Sequence, residues 1–436
     1  TGNVPMTVDL AQAPILEDLS ARGLIHQSTA PELLSEHLRA PRLVYGGFDP
    51  TRDSLTIGNL VTLLLLKRFQ LHGHKPIVLM GGGTGLIGDP SGKDSERSLL
   101  SREEIEANVR GQRRIFETVL DFDGPSGAEI VNNADWLGKL SYLEVLRDVG
   151  KHFSVNMMIQ KDSVRTRLEG RDHGISYTEF SYMILQSYDY AYLAKERGIT
   201  LQVGGSDQWG NITLGVDLAR RLHQLEVFGL TTPLLTKSDG GKFGKTESGA
   251  IWLTRERTNP YAFYQFWMNA ADADVDRFLN VFSLRPVAEL RQIAADHEAR
   301  PEARTAQRAL AEELTRLLHG EEGLKEAEAA TAALFSGDVR SLNERLLYEA
   351  FAGAPSYELS RERLGGEGLE LAQLLVDAGA AKSKREARQF LEASAVLLNG
   401  DKCDVARRVT EADLLFGRLL LIRRGKKNWH VCRAGT

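Results

Sequence analysis

A chain of 436 residues, 42% hydrophobic and 26% charged, has material for two or three domains with ample core. Its net charge of −5 argues against a uniformly basic nucleic-acid binder, although it leaves room for a local basic patch. Two cysteines, Cys403 and Cys432, are too few for a disulfide framework or a zinc site, and no run approaches the ~20 apolar residues of a membrane span. Residues 1–30 lack the apolar stretch of a signal peptide, so a cytoplasmic location with no membrane contact and no metal site is expected.

Ile15, Leu16, Leu19 and Leu24 are spaced for one or two amphipathic helices within 9–40. Residues 42–45 are short, apolar and β-prone, which predicts a buried strand, and 60–69 is long enough for a buried helix. Between them lie paired glycines, a proline and several hydroxyls. A strand, a glycine-marked loop and a helix N-terminus make a natural anion site, though an ordinary connection reads the same way. Residues 75–80 predict a second buried strand, so the order strand, helix, strand implies a parallel sheet. That strand runs into 81–93, the most glycine-dense stretch of the chain. There Gly83-Thr84-Gly85-Leu86-Ile87-Gly88 matches G-x-G-x-x-G, but the stretch is neither the dinucleotide fingerprint nor a P-loop, since no Gly-Lys-Ser/Thr follows.

Residues 101–122 predict a charged helix, 129–136 a strand ending in polar residues, and 139–200 a helical region. Within it Tyr182, Gln186 and Asp189 fall on one face of an otherwise apolar helix. Such a stripe is solvated, paired inside the core, or lining a pocket. A further strand at 200–203 ends in Gly204-Gly205, followed by Ser206-Asp207-Gln208 and a helix over 212–222. Asp207 is placed to accept from a ribose hydroxyl, or Asp207 or Ser206 to cap that helix, and the two readings are compatible. Residues 237–249 form a glycine- and lysine-rich loop, suited to a polyphosphate or simply to solvent. From 259 to 335 the pattern is helical, and 336–367 is rich in glycine and linker-like. The last unit opens with helices at 369–378 and from 382. Asn399-Gly400 then signals a hairpin, and Arg418, Arg423, Arg424, Lys426, Lys427 and Arg433 occur with no acid after Asp413. This basic tail reads as a phosphate-backbone contact or as a solvated strand face.

Taken in order, 45–60, 82–93, 182–189, 202–211 and 242–246 resemble the motifs of the bacterial-type tyrosyl-tRNA synthetases, a class I aminoacyl-tRNA synthetase family. The resemblance spans nearly the whole chain. It implies an α/β fold: a class I Rossmann-type parallel-sheet catalytic domain over 1–235, with an inserted helical dimer-interface segment at about 135–200. A phosphate-binding loop and connector at 236–258, a helical anticodon-recognition domain at 259–350 and a linker at 351–368 would follow. A small α+β RNA-binding domain over 369–436, like that of a small ribosomal protein, would close the chain.

The implied reaction activates L-tyrosine with Mg2+-bound ATP to tyrosyl-adenylate and pyrophosphate. The tyrosyl group then passes to tRNA(Tyr), on a homodimeric enzyme. By resemblance Thr51, Asn59, Lys93, Arg97, Lys242, Lys245, Thr246 and Thr56 take the catalytic positions. Tyr45 and Asp189 correspond to the phenol-reading pair, Asp89, Tyr182 and Gln186 to the ammonium binders, and Thr84 and Gln202 complete the tyrosine pocket. Gly47, Asp49, Thr51, Gly58, Asn59, Gly205, Asp207, Gln208, Lys242 and Lys245 fall at ATP-binding positions. A carboxylate nucleophile is already ionised at neutral pH, so this chemistry calls for hydroxyls and lysines around a phosphate site rather than a general base.

Two motifs depart from the family pattern. The HIGH motif reads Thr56-Ile57-Gly58-Asn59, with no histidine at either position; the Asn59 amide can donate as an imidazole would, and the Thr56 hydroxyl is shorter. The second motif reads Lys-Phe-Gly-Lys-Thr and keeps both lysines. A non-catalytic RNA-binding relative and the sister enzyme for tryptophan are the competing expectations. The glycine spacing disfavours a dinucleotide oxidoreductase.

Overall fold

Val44, Tyr45, Ile77, Val78 and Leu201 are all wholly buried, as strands covered on both faces must be. The computed structural model describes residues 13–91, 99–169, 174–241, 243–246, 249–425 and 428–435, the side chains of 162, 163, 245 and 246 excepted. It divides into two compact units, Thr1–Arg257 with Trp267–Leu318, and Thr258–Phe266 with His319–Thr436.

In the first unit, helix α1 (Pro14–Ala21), strand β1 (Gln27–Ser28) and helix α2 (Pro31–His37) precede the predicted strand β2 (Leu43–Phe48). Helix α3 (Ile57–Leu71) and strand β3 (Lys75–Met80) complete the βαβ unit. Leu63, Leu64, Leu65 and Leu66 of α3 are all fully buried, which explains why its sequence is apolar all round. Helix α4 (Arg102–Val119), capped by Ser101, leads to strand β4 (Glu129–Asn132). The strand expected over 129–136 ends early because Asn132 Oδ1 accepts from Ala134 N at 3.0 Å, turning the chain into the single-turn helix α5 (Ala134–Leu137).

The region 139–200 is helical but broken into α6 (Tyr142–Glu144), α7 (Val155–Ile159), α8 (Asp162–Glu169) and the long α9 (Tyr177–Arg197). Strand β5 (Leu201–Gly205), helix α10 (Trp209–His223) and strand β6 (Phe228–Thr232) follow, with α9 and α10 packed together on the sheet. The sheet order is β1-β6-β5-β2-β3-β4, parallel except for β1. After β2 the chain builds outward through β3 and β4, then returns to build through β5 and β6 on the other side. The carboxyl ends of β2 and β5 therefore flank a topological switch point, where open parallel sheets bind ligands. A hairpin of β7 (Lys245–Thr246) and β8 (Gly249–Ala250) lies beyond, and Ile57 N donates to Ile251 O at 3.0 Å.

The helical region divides between the units. Helix α11 (Pro260–Met268) precedes α12 (Asp272–Phe282), α13 (Val287–Ala299) and α14 (Thr305–Ser336), the last interrupted at Gly320. Residues 267–318 are compact with the first unit and 319–350 with the second, so the domain expected over 259–350 does not segregate by itself. Helix α15 (Glu344–Ala350) is followed, inside the stretch expected as a linker over 351–368, by strand β9 (Ser356–Leu359). This strand pairs in parallel with the final strand, and its Tyr357 and Leu359 alternate into the core. Four residues among glycines leave too little period-2 pattern to read.

Strand β10 (Leu369–Glu370), helices α16 (Leu371–Asp377) and α17 (Lys384–Glu392), and strands β11 (Val396–Leu398), β12 (Asp401–Lys402), β13 (Arg408–Val409), β14 (Leu419–Arg424) and β15 (Asn428–Ala434) complete the second unit. Its five-stranded sheet runs β12-β11-β14-β15-β9. Asn399 and Gly400, both at positive φ, form the predicted turn between β11 and β12.

Candidate active site

At the switch point lies a cavity of about 490 Å³. The expected site residues Tyr45, Gly47, Asp49, Thr51, Gly58, Asn59, Thr84, Asp89, Tyr182, Gln186, Asp189, Gln202, Gly205, Asp207 and Gln208 all line it. Strand β2 and the loop after it, the start of α3, helix α9 and the end of β5 bring together positions spread over more than 160 residues.

Asp189 sits at the bottom, 1% exposed. Its oxygens accept from Trp136 Nε1 at 2.7 Å and Asn133 Nδ2 at 2.9 Å. Burial raises its carboxyl to about 7, against those two hydrogen bonds, while the nearby Asp49 pushes it further up. Among the described residues, neither the hydroxyl of Tyr45, wholly buried beside it, nor Gln202 Oε1 has a hydrogen-bond partner. Buried polar atoms of this kind are costly unless something arrives to pair with them.

Towards the strand ends, Asp49 accepts from Tyr182 Oη at 2.7 Å and Thr84 Oγ1 at 2.8 Å. Burial and the adjacent Asp49 and Asp89 hold the Tyr182 phenol well above its ordinary range, so it stays a donor. A Cβ at Gly81 would overlap both the Asp49 carboxylate and the Thr84 hydroxyl, so the glycine-rich stretch is needed here for close packing. Gln208 donates to Asp89 at 2.8 Å and Asp207 at 3.1 Å, and Asn211 donates to Gln186 Oε1 at 2.9 Å. The polar stripe on α9 thus lines the pocket and is also paired. Neither Ser206 nor Asp207 caps α10, whose cap position is Gln208 with no side-chain bond.

Thr56 does not belong to the cavity wall. It occupies the N-cap of α3, where its N and Oγ1 donate to Asn59 Oδ1 at 3.0 and 2.9 Å. That leaves the Nδ2 amide of Asn59, which does line the cavity, as the end able to donate to a ligand. Lys93, Arg97 and Lys242 lie outside the described residues, and of Lys245 and Thr246 only the backbone is described. Phe243, between the two lysines, lines the cavity and stacks on Phe282 at 5.3 Å between ring centroids. The basic tail is largely engaged within its own unit. Arg418 pairs with Glu344, Arg423 lies over Trp429, Arg424 donates to Ala380 O and Arg433 lies over Tyr348; Lys426 and Lys427 lie outside the described residues.

Asn133, Trp136 and Asn211 escaped the sequence reading. Asn133 and Trp136 fall in the expected strand 129–136, and Asn211 in the loop read for its glycines and Asp207. The only signal was a run of polar residues at the end of a parallel strand.

Residues 38–336 match the family described as tRNA synthetases class I (W and Y), and 347–432 the tyrosine–tRNA ligase SYY-like C-terminal domain. The chain is 52% identical over 421 residues to a tyrosine–tRNA ligase of Dechloromonas aromatica, covering 96% of this chain and 98% of that one. To the tyrosine–tRNA ligase of Escherichia coli it is 50% identical over 424 residues, covering 96% and 99%. A solved structure of a C-terminally truncated mitochondrial tyrosyl-tRNA synthetase from Aspergillus nidulans superposes with a TM-score of 0.67 at 30% identity, covering 74% of this chain and 94% of that one.

Proposed function

This chain belongs to the tyrosine–tRNA ligases, class I aminoacyl-tRNA synthetases, and from that premise we propose which of its residues carry each part of the reaction. The enzyme uses ATP to join tyrosine to its tRNA. In the first step a carboxylate oxygen of tyrosine attacks the α-phosphorus, the new O–P bond forms, and the bond to the bridging oxygen breaks to release pyrophosphate. In the second, a hydroxyl of the terminal adenosine attacks the tyrosyl carbonyl and AMP departs.

The observation that carries the substrate assignment is the orphaned Tyr45 hydroxyl beside the buried Asp189 carboxylate. A tyrosine phenol donating to Asp189 and accepting from Tyr45 satisfies both; phenylalanine satisfies neither, and a site built around a hydroxyl rejects the analogue lacking one. Asn133 and Trp136 fix the carboxylate that reads it. We assign the substrate ammonium to Asp89, Tyr182 and Gln186, the ribose to Gly205, Asp207 and Gln208, and the phosphates to Thr51, Asn59 Nδ2 and the N-terminus of α3. The loop 242–246, with Lys93 and Arg97, would meet the departing pyrophosphate as point charges. Mg2+ belongs to the ATP substrate, held by its phosphate oxygens and water.

A homodimer is the assembly we propose, and the surface supports it. Of the fourteen exposed large hydrophobic residues among those described, eight fall within 142–177, among them Leu143 at 75% and Tyr142 at 63%. Concentrated apolar exposure of that kind marks an interface, and a second copy of the chain is the partner the family supplies. No helix among the described residues is long and apolar enough to cross a membrane, and tRNA charging points to the cytoplasm. The test of the substrate assignment is the tyrosine affinity of Asp189→Ala, expected to fall at least a hundredfold; an unchanged affinity would remove Asp189 from the pocket.

A further inference from the structure

Helix α4 contributes nothing to the cavity wall, yet it grips the loop that does. Asn108, Gly111 and Gln112 lie three and four residues apart on one face. Asn108 Nδ2 donates to Pro50 O at 2.9 Å. Gln112, 1% exposed in an otherwise charged helix, donates through Nε2 to Arg52 O at 2.9 Å and, more weakly, to Asp49 O at 3.5 Å. A Cβ at Gly111 would overlap the Asp53 carbonyl, so helix and loop meet backbone to backbone. On its other side the loop is tied to 253–257. Thr254 N donates to Ser54 Oγ at 3.3 Å, Leu253 N donates to Leu55 O at 2.9 Å, and Arg257 pairs with Asp53.

The consequence is electrostatic. Two carbonyls, those of Pro50 and Arg52, flank Thr51, and each is a partial negative charge that would repel a polyphosphate; the Asp49 carbonyl is taken by Thr51 N at 2.9 Å. Both flanking carbonyls accept from α4, through the Asn108 and Gln112 amides, and neither Pro50 nor Arg52 is among the residues lining the cavity, whereas Thr51 is. We propose that Asn108 and Gln112 are positioning residues for adenylate formation: by holding these carbonyls against α4, they present Thr51 rather than peptide oxygens to the phosphates. The inference rests on the assignment of Thr51 to the phosphates.

The test compares Gln112→Met, Asn108→Asp and Thr51→Ala in the full-length enzyme. Single-turnover adenylate formation, the KM values for ATP and pyrophosphate, tyrosine affinity and melting temperature are read for each. Gln112→Met keeps the volume and removes the donor. Asn108→Asp, at a half-buried position, keeps the shape and sets an acceptor against Pro50 O, so it carries the test if Gln112→Met does not fold. The expected result is a tenfold or greater loss in adenylate formation with raised KM for ATP and pyrophosphate, and tyrosine affinity within twofold of the parent. A purely structural role would lower the melting temperature without splitting ATP from tyrosine, and that result overturns the proposal. If Thr51→Ala slows the reaction and neither α4 variant does, the inference fails alone. If Thr51→Ala changes nothing, the phosphate assignment fails and takes the inference with it.

Discussion

Tyr45→Phe separates binding from stability. The hydroxyl it removes is fully buried and without a partner among the described residues of the free protein. Leaving a polar group in that state costs about 1–3 kcal/mol, so its removal is expected to stabilise the free enzyme by roughly 1 kcal/mol, a rise of about 2 °C in melting temperature for a unit of this size. Bound tyrosine loses one hydrogen bond, worth about 0.5–1.5 kcal/mol, and its affinity is expected to fall roughly 2- to 13-fold. Phenylalanine has no phenol to pair with Tyr45, so its affinity holds or improves and discrimination drops by about the same factor. Tyrosine and phenylalanine titrations followed by intrinsic fluorescence, alongside thermal unfolding, give all three numbers. Equal losses for both amino acids, or a destabilised free enzyme, would refute the reasoning, because either means that the hydroxyl is already satisfied before substrate arrives.

Lys245→Ala is expected to slow adenylate formation roughly a hundredfold, as loss of a charge-stabilising group in a transition state does, while tyrosine affinity stays nearly intact; single-turnover kinetics checks it. Replacing Leu143 and Leu146 by Asp should convert a dimer to a monomer in light scattering, whereas an unchanged mass would place the interface elsewhere. Burial, with His72, Arg42 and His37 nearby, lowers the imidazole of His74 to about 4. The unfolded chain takes up that proton first, so this stabilisation is full above about pH 6.5 and is lost as the pH falls towards 4. The loss is about 2 kcal/mol between pH 7 and pH 5. Asp189, raised to about 7, changes stability in the opposite sense over the same range, so denaturant midpoints are compared between the parent and His74→Gln, whose stability change from pH 7 to pH 5 should be more favourable than the parent's by that amount.

The parallel sheet was legible because 43–45, 63–66 and 77–80 are unbroken apolar runs, and because glycines lie at the ends of β2, β3 and β5 where ligands bind. The polar stripe on α9 was legible as a stripe, but its two roles were not: sequence spacing tells which residues share a face, not that Tyr182 reaches Asp49 across 133 positions. Asn133 and Trp136 were hidden because an Asx turn at Asn132 ended a strand the pattern would have continued. Gln112 was hidden in a charged helix, where one buried amide leaves no periodic mark. Strand β9 was too short to separate from its glycine-rich surroundings. The altered HIGH motif gains a structural account, since Thr56 and Asn59 bond each other at the N-terminus of α3 and so orient the Asn59 amide.

The central claim, that this cavity activates tyrosine with ATP, is tested most directly by ATP–pyrophosphate exchange run with tyrosine, phenylalanine and tryptophan in turn. Exchange that depends on tyrosine and is negligible with the other two is the predicted result, and it would show that Thr56-Ile57-Gly58-Asn59 suffices for the first step. Silence with all three in folded protein, or exchange driven by tryptophan, would contradict the account.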